Sequence, residues 1–394
     1  MKLRILTPLY IGSGEFVLPS SYLLEGNNVF IFDFKGLWEG LGAHAGEYFQ
    51  WLSASGRNRS LNNFLKEQGL SPSLLLGKKL YTLPLRQEPK ERIYTFIKLP
   101  GRPPRPYIPA TEIKGFLRTA ILYRLLTENA EGSLDWLKDK LGNLLPLANK
   151  VEALEKELKG GKPKKRELRK KRSELAQNVK NISTSLEERL LRSEKGSLVD
   201  ALRFLHLADS NPLPADKLCL RKVWVRFGTG EERGMAGRID KGAEGKVRFG
   251  TEKERGWWYE VLAPEASPIE FEVKSGSFSP WGKKAEEYLQ MPVKRSEWGF
   301  IKESAFIFSR DILAEEGDQE LSSQNTPKNP LLRLGMHKGF LATSLGLILR
   351  EMELISVVSS LYTKKSRKKP FPATRKFVKE EGKEIGLGWV RLED

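Results

Sequence analysis

The sequence predicts an α+β protein made of two ferredoxin-like halves in tandem, with a helical insertion in the first half. Three observations carry this. β-rich runs separated by short turn signals occur on both sides of residue 210. Each half holds an apolar helix behind a glycine- or proline-marked approach. Residues 147–195 abandon both patterns for a charged, Leu-rich stretch. Mixed strands and helices with hairpins fit layered α+β architecture. The expected domains are 1–210, carrying the insertion, and 211–394.

The elements follow in order. Residues 2–11, KLRILTPLYI, form a first strand that ends at the Gly12-Ser13-Gly14 turn. Residues 21–33 are two β-rich runs broken at Gly26-Asn27-Asn28, the signature of a hairpin. Residues 37–52 carry Leu37, Leu41, Ala45, Tyr48 and Leu52 at helical spacing. A strand and a proline-rich approach, YTFIKLPGRPPRPYIPA, lead to a helix over about Thr111–Leu126. In that helix Ile113, Phe116, Leu117 and Ala120 make the apolar patch, with Lys114 and Arg118 adjacent at i, i+4. Residues 147–195 read as a helical hairpin broken at Gly160-Gly161-Lys162-Pro163, with seven basic residues and one acid between Lys164 and Arg172. Strand signal resumes at LRFLHLADSNPLP. It continues through LRKVWVRF, GKVRFG, WWYEVLAP and IEFEVKSG, before a short helix KKAEEYLQMPV. The Asp-, Ser-, Gln-, Asn- and Pro-rich residues 310–330 read as a loop. Beyond it lie a glycine-rich approach to a second apolar helix (RLGMHKGFLATSLGLILREM), a basic loop (TKKSRKKPFPATRKFV) and a last strand, GLGWVRLED.

The totals narrow the function classes. Lys and Arg number 67 against 50 Asp and Glu, a net charge of +17 over 394 residues. The sequence pI of about 9.6 lies above the value of ~9 that marks a nucleic-acid binder. Such charge speaks about partners rather than fold; a phosphate polymer is the first candidate, with an anionic membrane surface or a plain high-lysine thermophile composition as the alternatives. The single cysteine, Cys219, excludes an internal disulfide and a thiolate zinc site, and points to the cytoplasm. No apolar run reaches the ~18 residues of a membrane span. The N-terminus lacks a signal-peptide core. The expectation is a soluble cytoplasmic protein without metal or cofactor.

Candidate binding residues cluster at glycine turns. Gly12-Ser13-Gly14 either cradles a phosphate through backbone N–H groups or is an ordinary turn. It lacks the third glycine of a dinucleotide fingerprint. At the helix of Thr111–Leu126, backbone N–H groups attract anions, and cations there make sense if a polyanion is bound. The competing reading is that Lys114 and Arg118 snorkel from a half-buried helix. Leu334-Gly335-Met336-His337-Lys338-Gly339, flanked by Arg333, is a second glycine loop, open to either a structural or a phosphate-binding role. His337 is placed to bind, or to act as general acid or base in metal-independent RNA cleavage. His44 and His206 read as packed or surface residues, and Asp209 as a turn cap. On a strand, at least one ring of Trp257-Trp258-Tyr259 faces the core. The seven cations from Lys364 to Lys376, among them Lys364, Lys365 and Arg367, are either a solvated loop or a phosphate footprint weakened by salt.

Taken in order, LTPLYIGSGE, YIPATEIKGFLRTAIL, FLHLADSNPLP, RLGMHKGFLATSL and GLGWVRL resemble the RAMP proteins of type III CRISPR effectors. The length and the GLGWVRL ending most resemble the family of the fifth subunit of the subtype III-A Csm complex. The resemblance implies two RRM-like (ferredoxin-like) domains. It implies a non-catalytic RNA-binding subunit that caps the backbone at the 3′ end of the guide RNA and supports guide maturation in antiviral defence. Implied partners are the guide RNA, other RAMP backbone subunits, the small subunit and recruited nucleases. Gly12, Ser13 and Gly14, the helix start at Lys114, Gly115, Arg118 and Thr119, and the loop Gly335, His337, Lys338 and Gly339 become guide contacts. Two alternatives stand beside this. One is a RAMP endoribonuclease that processes guide RNA with His337 as acid or base. The other is the sister RAMP subunit that grips the 5′ tag. The insertion at 147–195 is not part of the recognised pattern.

Overall fold

A computed structural model describes residues 1–54, 59–85, 88–89, 91–157, 161–192, 200–227, 255–274, 295, 297–336, 338–362 and 374–394. The expected strand GKVRFG and helix KKAEEYLQMPV lie outside them.

The α+β class is as expected. β1 (Lys2–Ile5) is shorter than the run 2–11 because the Leu6 and Thr7 N–H groups both turn to the Trp389 carbonyl, and Pro8 beyond them has no N–H to continue the ladder. Gly12-Ser13-Gly14 does not form a turn after a strand. It opens β2 (Gly12–Val17). β3 (Tyr22–Glu25) and β4 (Asn28–Ile31) form the predicted hairpin, with Gly26 at φ +55 in its turn. The helix expected at 37–52 is two helices, α1 (Phe34–Leu41) and α2 (Ala45–Ser53), divided at Gly42 with φ +53. After α3 (Leu61–Glu67), α4 (Ser73–Leu76) and β5 (Tyr81–Pro84) come β6 (Ile93–Phe96), β7 (Lys98–Leu99) and β8 (Arg105–Pro106). α1–α4 pack on one face of the β3–β5 sheet around a second core, with Tyr48, Phe64 and Leu75 fully buried, while Tyr22, Val29, Ile31, Tyr81 and Leu83 of that sheet face the main core.

α5 (Ala110–Thr127) is the predicted helix, and it buries nine side chains. At roughly 1.5–3 kcal/mol for each large apolar residue, it is a principal source of stability. α6 (Ser133–Gly142) leads to the insertion, where α7 (Leu145–Lys156) and α8 (Gly161–Leu191) pack on each other as expected. Pro163 stands in the first turn of α8, where its missing N–H costs nothing. Within LRFLHLADSNPLP only β9 (His206–Leu207) is strand. β10 (Leu218–Phe227), β11 (Arg255–Leu262), β12 (Ile269–Glu270) and β13 (Val273–Lys274) follow. The stretch 310–330 is not a loop throughout. α9 (Trp298–Glu316) and α10 (Gln319–Gln324) occupy much of it, with Asp318 capping α10. β14 (Leu331–Arg333), α11 (Gly346–Glu351), α12 (Ile355–Ser359), β15 (Thr374–Glu380), β16 (Lys383–Gly386) and β17 (Trp389–Glu393) complete the chain.

Two large sheets organise these elements. One is antiparallel, in the order β12-β1-β17-β14, with α5 and α9 packed beside β14. Phe308 of α9 meets Phe116 and Tyr123 of α5 at centroid distances of 5.5 and 4.9 Å. Four antiparallel strands under two helices are the layers of a ferredoxin-like domain. Here the chain's first and last strands pair at the centre of the sheet, from Lys2↔Glu393 to Ile5↔Val390. The other sheet has six strands in the order β16-β15-β10-β11-β6-β2, with the one parallel pairing at β11–β6. Each sheet therefore draws strands from both sides of residue 210.

A buried carboxylate joins the β3–β5 sheet to the six-stranded sheet. Glu260, fully buried, accepts from the Phe96 N–H at 2.8 Å and the Tyr81 hydroxyl at 2.5 Å, and pairs with Lys98. A buried charge persists only when partnered in this way.

Candidate nucleic-acid interface

The start of α5 is occupied by the protein itself. Asp209 Oδ1 accepts the Ala110 N–H at 2.7 Å, and Ser210 Oγ accepts the Ile108 N–H at 2.8 Å. Asp209 is thus a cap, but of a helix a hundred residues earlier in the chain. Its carboxylate meets the positive end of the helix dipole, where a phosphate had been expected.

Lys114 and Arg118 also turn to internal partners. Lys114 Nζ donates to the Leu205 carbonyl at 3.0 Å. Burial holds its pKa below the ordinary lysine value, although Asp200 opposes the shift. Arg118 bonds Glu187 of α8 through Nε and Nη2 at 3.1 and 2.7 Å, and its Nη1 lies 2.7 Å from Asp200. Burial works to lower its pKa, but the bonds to Asp200 and Glu187 outweigh it and the pKa is raised. These cations tie α5 to the insertion and to the segment before β9. Gly115 is exposed on α5 with open space at its Cβ position, and Thr119 Oγ1 donates back to the Gly115 carbonyl at 3.1 Å.

The glycine loop after β14 does meet the start of β2. Gly335 adopts φ +86, and a Cβ there would collide with the Tyr10 carbonyl oxygen. Met336 N–H donates to that same carbonyl at 2.9 Å. A Cβ at Gly12 would lie 2.7 Å from the Tyr10 hydroxyl and 2.8 Å from Met336 Sδ. Gly335 is therefore required by its positive φ and the close approach of backbone, whereas at Gly12 the neighbours are side-chain ends and the exposed Met336 can give way. Glu112, in the first turn of α5, completes the junction. Its Oε2 accepts from the Gly335 N–H and from Lys338 Nζ, each at 3.2 Å. α5 thus brings Glu112, rather than Lys114 or Arg118, to the loop. Gly339, at φ +79, has open space around it.

The other predicted residues divide. Ser13 Oγ is 2.6 Å from Thr95 Oγ1 and accepts the Glu15 N–H at 3.1 Å. Gly14, at φ +87, is exposed in a bulge where the β2–β6 register slips between Gly12↔Phe96 and Phe16↔Tyr94. Arg333 faces inward. It donates to the Leu387 carbonyl at 3.3 Å, pairs with Glu316 and lies 5.1 Å from the Trp389 ring centroid, so it is a core cation and not a loop contact. His337, Lys364, Lys365 and Arg367 lie outside the described residues. His44 is a surface residue 3.0 Å from Glu47, and His206 is exposed. Of the aromatic run, Trp258 is buried, whereas Tyr259 stacks on Tyr94.

On α8, exposed Lys165, Arg166, Arg169 and Lys170 form no ion pair among the described residues, while Lys171 and Arg172 pair with Glu174 and Glu155. Among the described residues no group of three or more His, Cys, Asp and Glu is arranged to hold a metal ion. No helix there is long and apolar enough to cross a membrane.

The α+β layers and the glycine loop beside β2 belong to a chain that the RAMP superfamily model matches. The family model matches residues 2–301, and the chain belongs to that superfamily. Its fold follows two solved structures over their whole length. One is a chain of a Csm–crRNA–target RNA ternary complex of a type III-A CRISPR-Cas system (TM-score 0.67, 21% identity, 100% of this chain and 99% of that one). The other is the crystal structure of Csm5 from T. onnurineus (TM-score 0.56, 19% identity, 99% of this chain and 100% of that one). No curated protein matches it by sequence.

Proposed function

We propose that this chain is a non-catalytic RNA-binding subunit of a type III-A CRISPR effector, capping the backbone at the 3′ end of the guide RNA and supporting guide maturation. The observation that carries this is the end-to-end likeness to a chain of a Csm–crRNA–target RNA complex. The geometry supplies a place for RNA. The Gly335 N–H and Lys338 Nζ converge on one carboxylate oxygen of Glu112. A phosphate oxygen is the same kind of acceptor. The guide backbone lies along this loop and the exposed start of β2, displacing or flanking Glu112. Contacts of this type position RNA without reading its sequence.

The test is purification of the tagged chain with its native partners, followed by RNA sequencing and crosslink mapping. Repeat-derived guides crosslinked near their 3′ ends, with RAMP subunits retained, are the expected result. Crosslinks confined to the 5′ tag would move the chain to the sister position, and absence of any discrete RNA would overturn the proposal. His337→Ala is expected to leave guide processing by the assembled complex intact. Lost cleavage with retained guide would make the chain a nuclease instead.

A further inference from the structure

The six-stranded sheet carries an aromatic row that no short motif announces. Tyr259 of β11 and Tyr94 of β6 stack at 4.9 Å with an interplanar angle of 18°. Phe16 of β2 meets Tyr94 edge-on at 6.4 Å, and Tyr10 meets Tyr259 edge-on at 4.7 Å. The pairings Phe16↔Tyr94 and Tyr94↔Tyr259 put the three strand residues on one face. The row begins in the core and ends in water: Tyr10 is 3% exposed and Phe16 is 46% exposed. Over the wet end sits Arg92, its guanidinium 5.1 Å from the Phe16 centroid and 5.8 Å from that of Tyr94. Arg92 forms no ion pair among the described residues.

We propose that Phe16, Tyr94 and Arg92 form a stacking platform for an unpaired base of single-stranded RNA. This rests on the RNA-binding reading above and extends it from backbone to base. Two features select RNA over an apolar protein segment. A cation with no carboxylate partner among the described residues lies over the rings, in a chain of net charge +17. The row is also continuous with the glycine loop, because Tyr10 and Gly12 touch Met336 while Phe16 lies four residues further along β2. A strand whose phosphates follow the loop turns its bases toward this face. Every base has a π-face, so such a platform tolerates any sequence. Arg92 then stacks on the base or pairs with its phosphate.

The experiment uses the full chain and a short mixed-sequence single-stranded RNA containing 2-aminopurine. Affinity is measured across a salt series together with the fluorescence of the analogue. Phe16→Ala, at an exposed position, is expected to weaken binding roughly five- to hundred-fold. It should also abolish the stacking quench and leave the salt slope unchanged, since no phosphate contact is lost. Phe16→Trp should keep both affinity and quench, and Arg92→Gln should weaken both. Lys338→Gln serves as the backbone control and should change the slope. If wild type binds and Lys338→Gln flattens the slope while Phe16→Ala keeps affinity and quench, the platform is refuted and the backbone reading stands. If Phe16→Ala keeps RNA affinity but loses a co-purifying protein, the row is a protein contact and the proposal is likewise overturned. No binding by wild type overturns both.

Discussion

Lys338 and Asp33 show how one carboxylate contact can serve different ends. Lys338 shares Glu112 with a backbone N–H at the glycine loop, and its ammonium is the cation there that an RNA phosphate would meet. Lys338→Gln is expected to weaken single-stranded RNA binding equally for all sequences. It should also reduce the magnitude of the salt slope by about 0.7, the value for one lost single-strand phosphate contact. An unchanged slope would remove Lys338 from the interface. Asp33 has only a structural task. Its Oδ1 caps α1 through the Gly36 N–H at 2.7 Å, and the same carboxylate pairs with Arg102. Burial raises its pKa, but the bonds to Arg102 and Gly36 outweigh that and hold it below the ordinary aspartate value. A carboxylate depressed in the folded state contributes stability that is complete above its unfolded pKa and is lost as pH falls through the folded value. Asp33→Asn keeps the cap but removes the charge. Its melting temperature should therefore lie below wild type near neutrality, begin to approach it as the pH falls below about 4, and meet it only once the pH is below the depressed folded pKa.

At the scale of elements, α5 is the hinge of the architecture, and its cations bind protein. Arg118 holds α8 and the segment at Asp200 together through charge-assisted bonds. Arg118→Ala is expected to destabilise the chain by roughly 1.5–3 kcal/mol, seen as a lower denaturation midpoint, with the RNA salt slope untouched. A changed slope at unchanged stability would return Arg118 to the RNA. The position of α5 was legible in the sequence to within a residue, because Pro109 and a dense apolar pattern mark it. The role of its charges was not, because Glu187, Asp200, Leu205 and Asp209 are distant in the chain and only the fold brings them near. α9 carries a helical pattern in the sequence. Ile301, Ala305, Phe308 and Ile312 repeat at helical spacing and are fully buried, but the polar residues after Asp311 suggested a loop. The site divides the same way. Gly12, Gly335 and Lys338 stood out as glycine-loop residues, whereas Glu112 and Tyr10, which join them, carry no local signal. Arg333, a cation beside a glycine loop, reads as solvent-facing in the sequence, and only the fold shows Glu316 and Trp389 enclosing it.

For the whole molecule, strand order matters more than the apparent repeat along the chain. A pattern of strands, glycine turn and helix occurring twice suggests two self-contained halves, each closing its own sheet. The pairing is different. β17 lies between β1 and β14, and it buries Trp389, Val390 and Leu392 almost completely. β2 and β6 complete a sheet whose other four strands come from after residue 210. Cutting the chain there would break the four-stranded sheet at β1 and the six-stranded sheet between β11 and β6, and strip the apolar faces they share, at roughly 1.5–3 kcal/mol for each large side chain uncovered. That loss is comparable to the whole margin of a folded domain, about 5–15 kcal/mol. Segments 1–210 and 211–394 made separately are therefore expected to show no cooperative thermal transition by circular dichroism. Made together, they should associate and recover one. A cooperative melt from either segment alone would mean that its strands close a sheet without the other half. The interleaving has a consequence for function as well. The loop at Gly335 meets Tyr10 and Glu112 only because β14 and β1 share a sheet, so the proposed RNA site requires both parts of the chain.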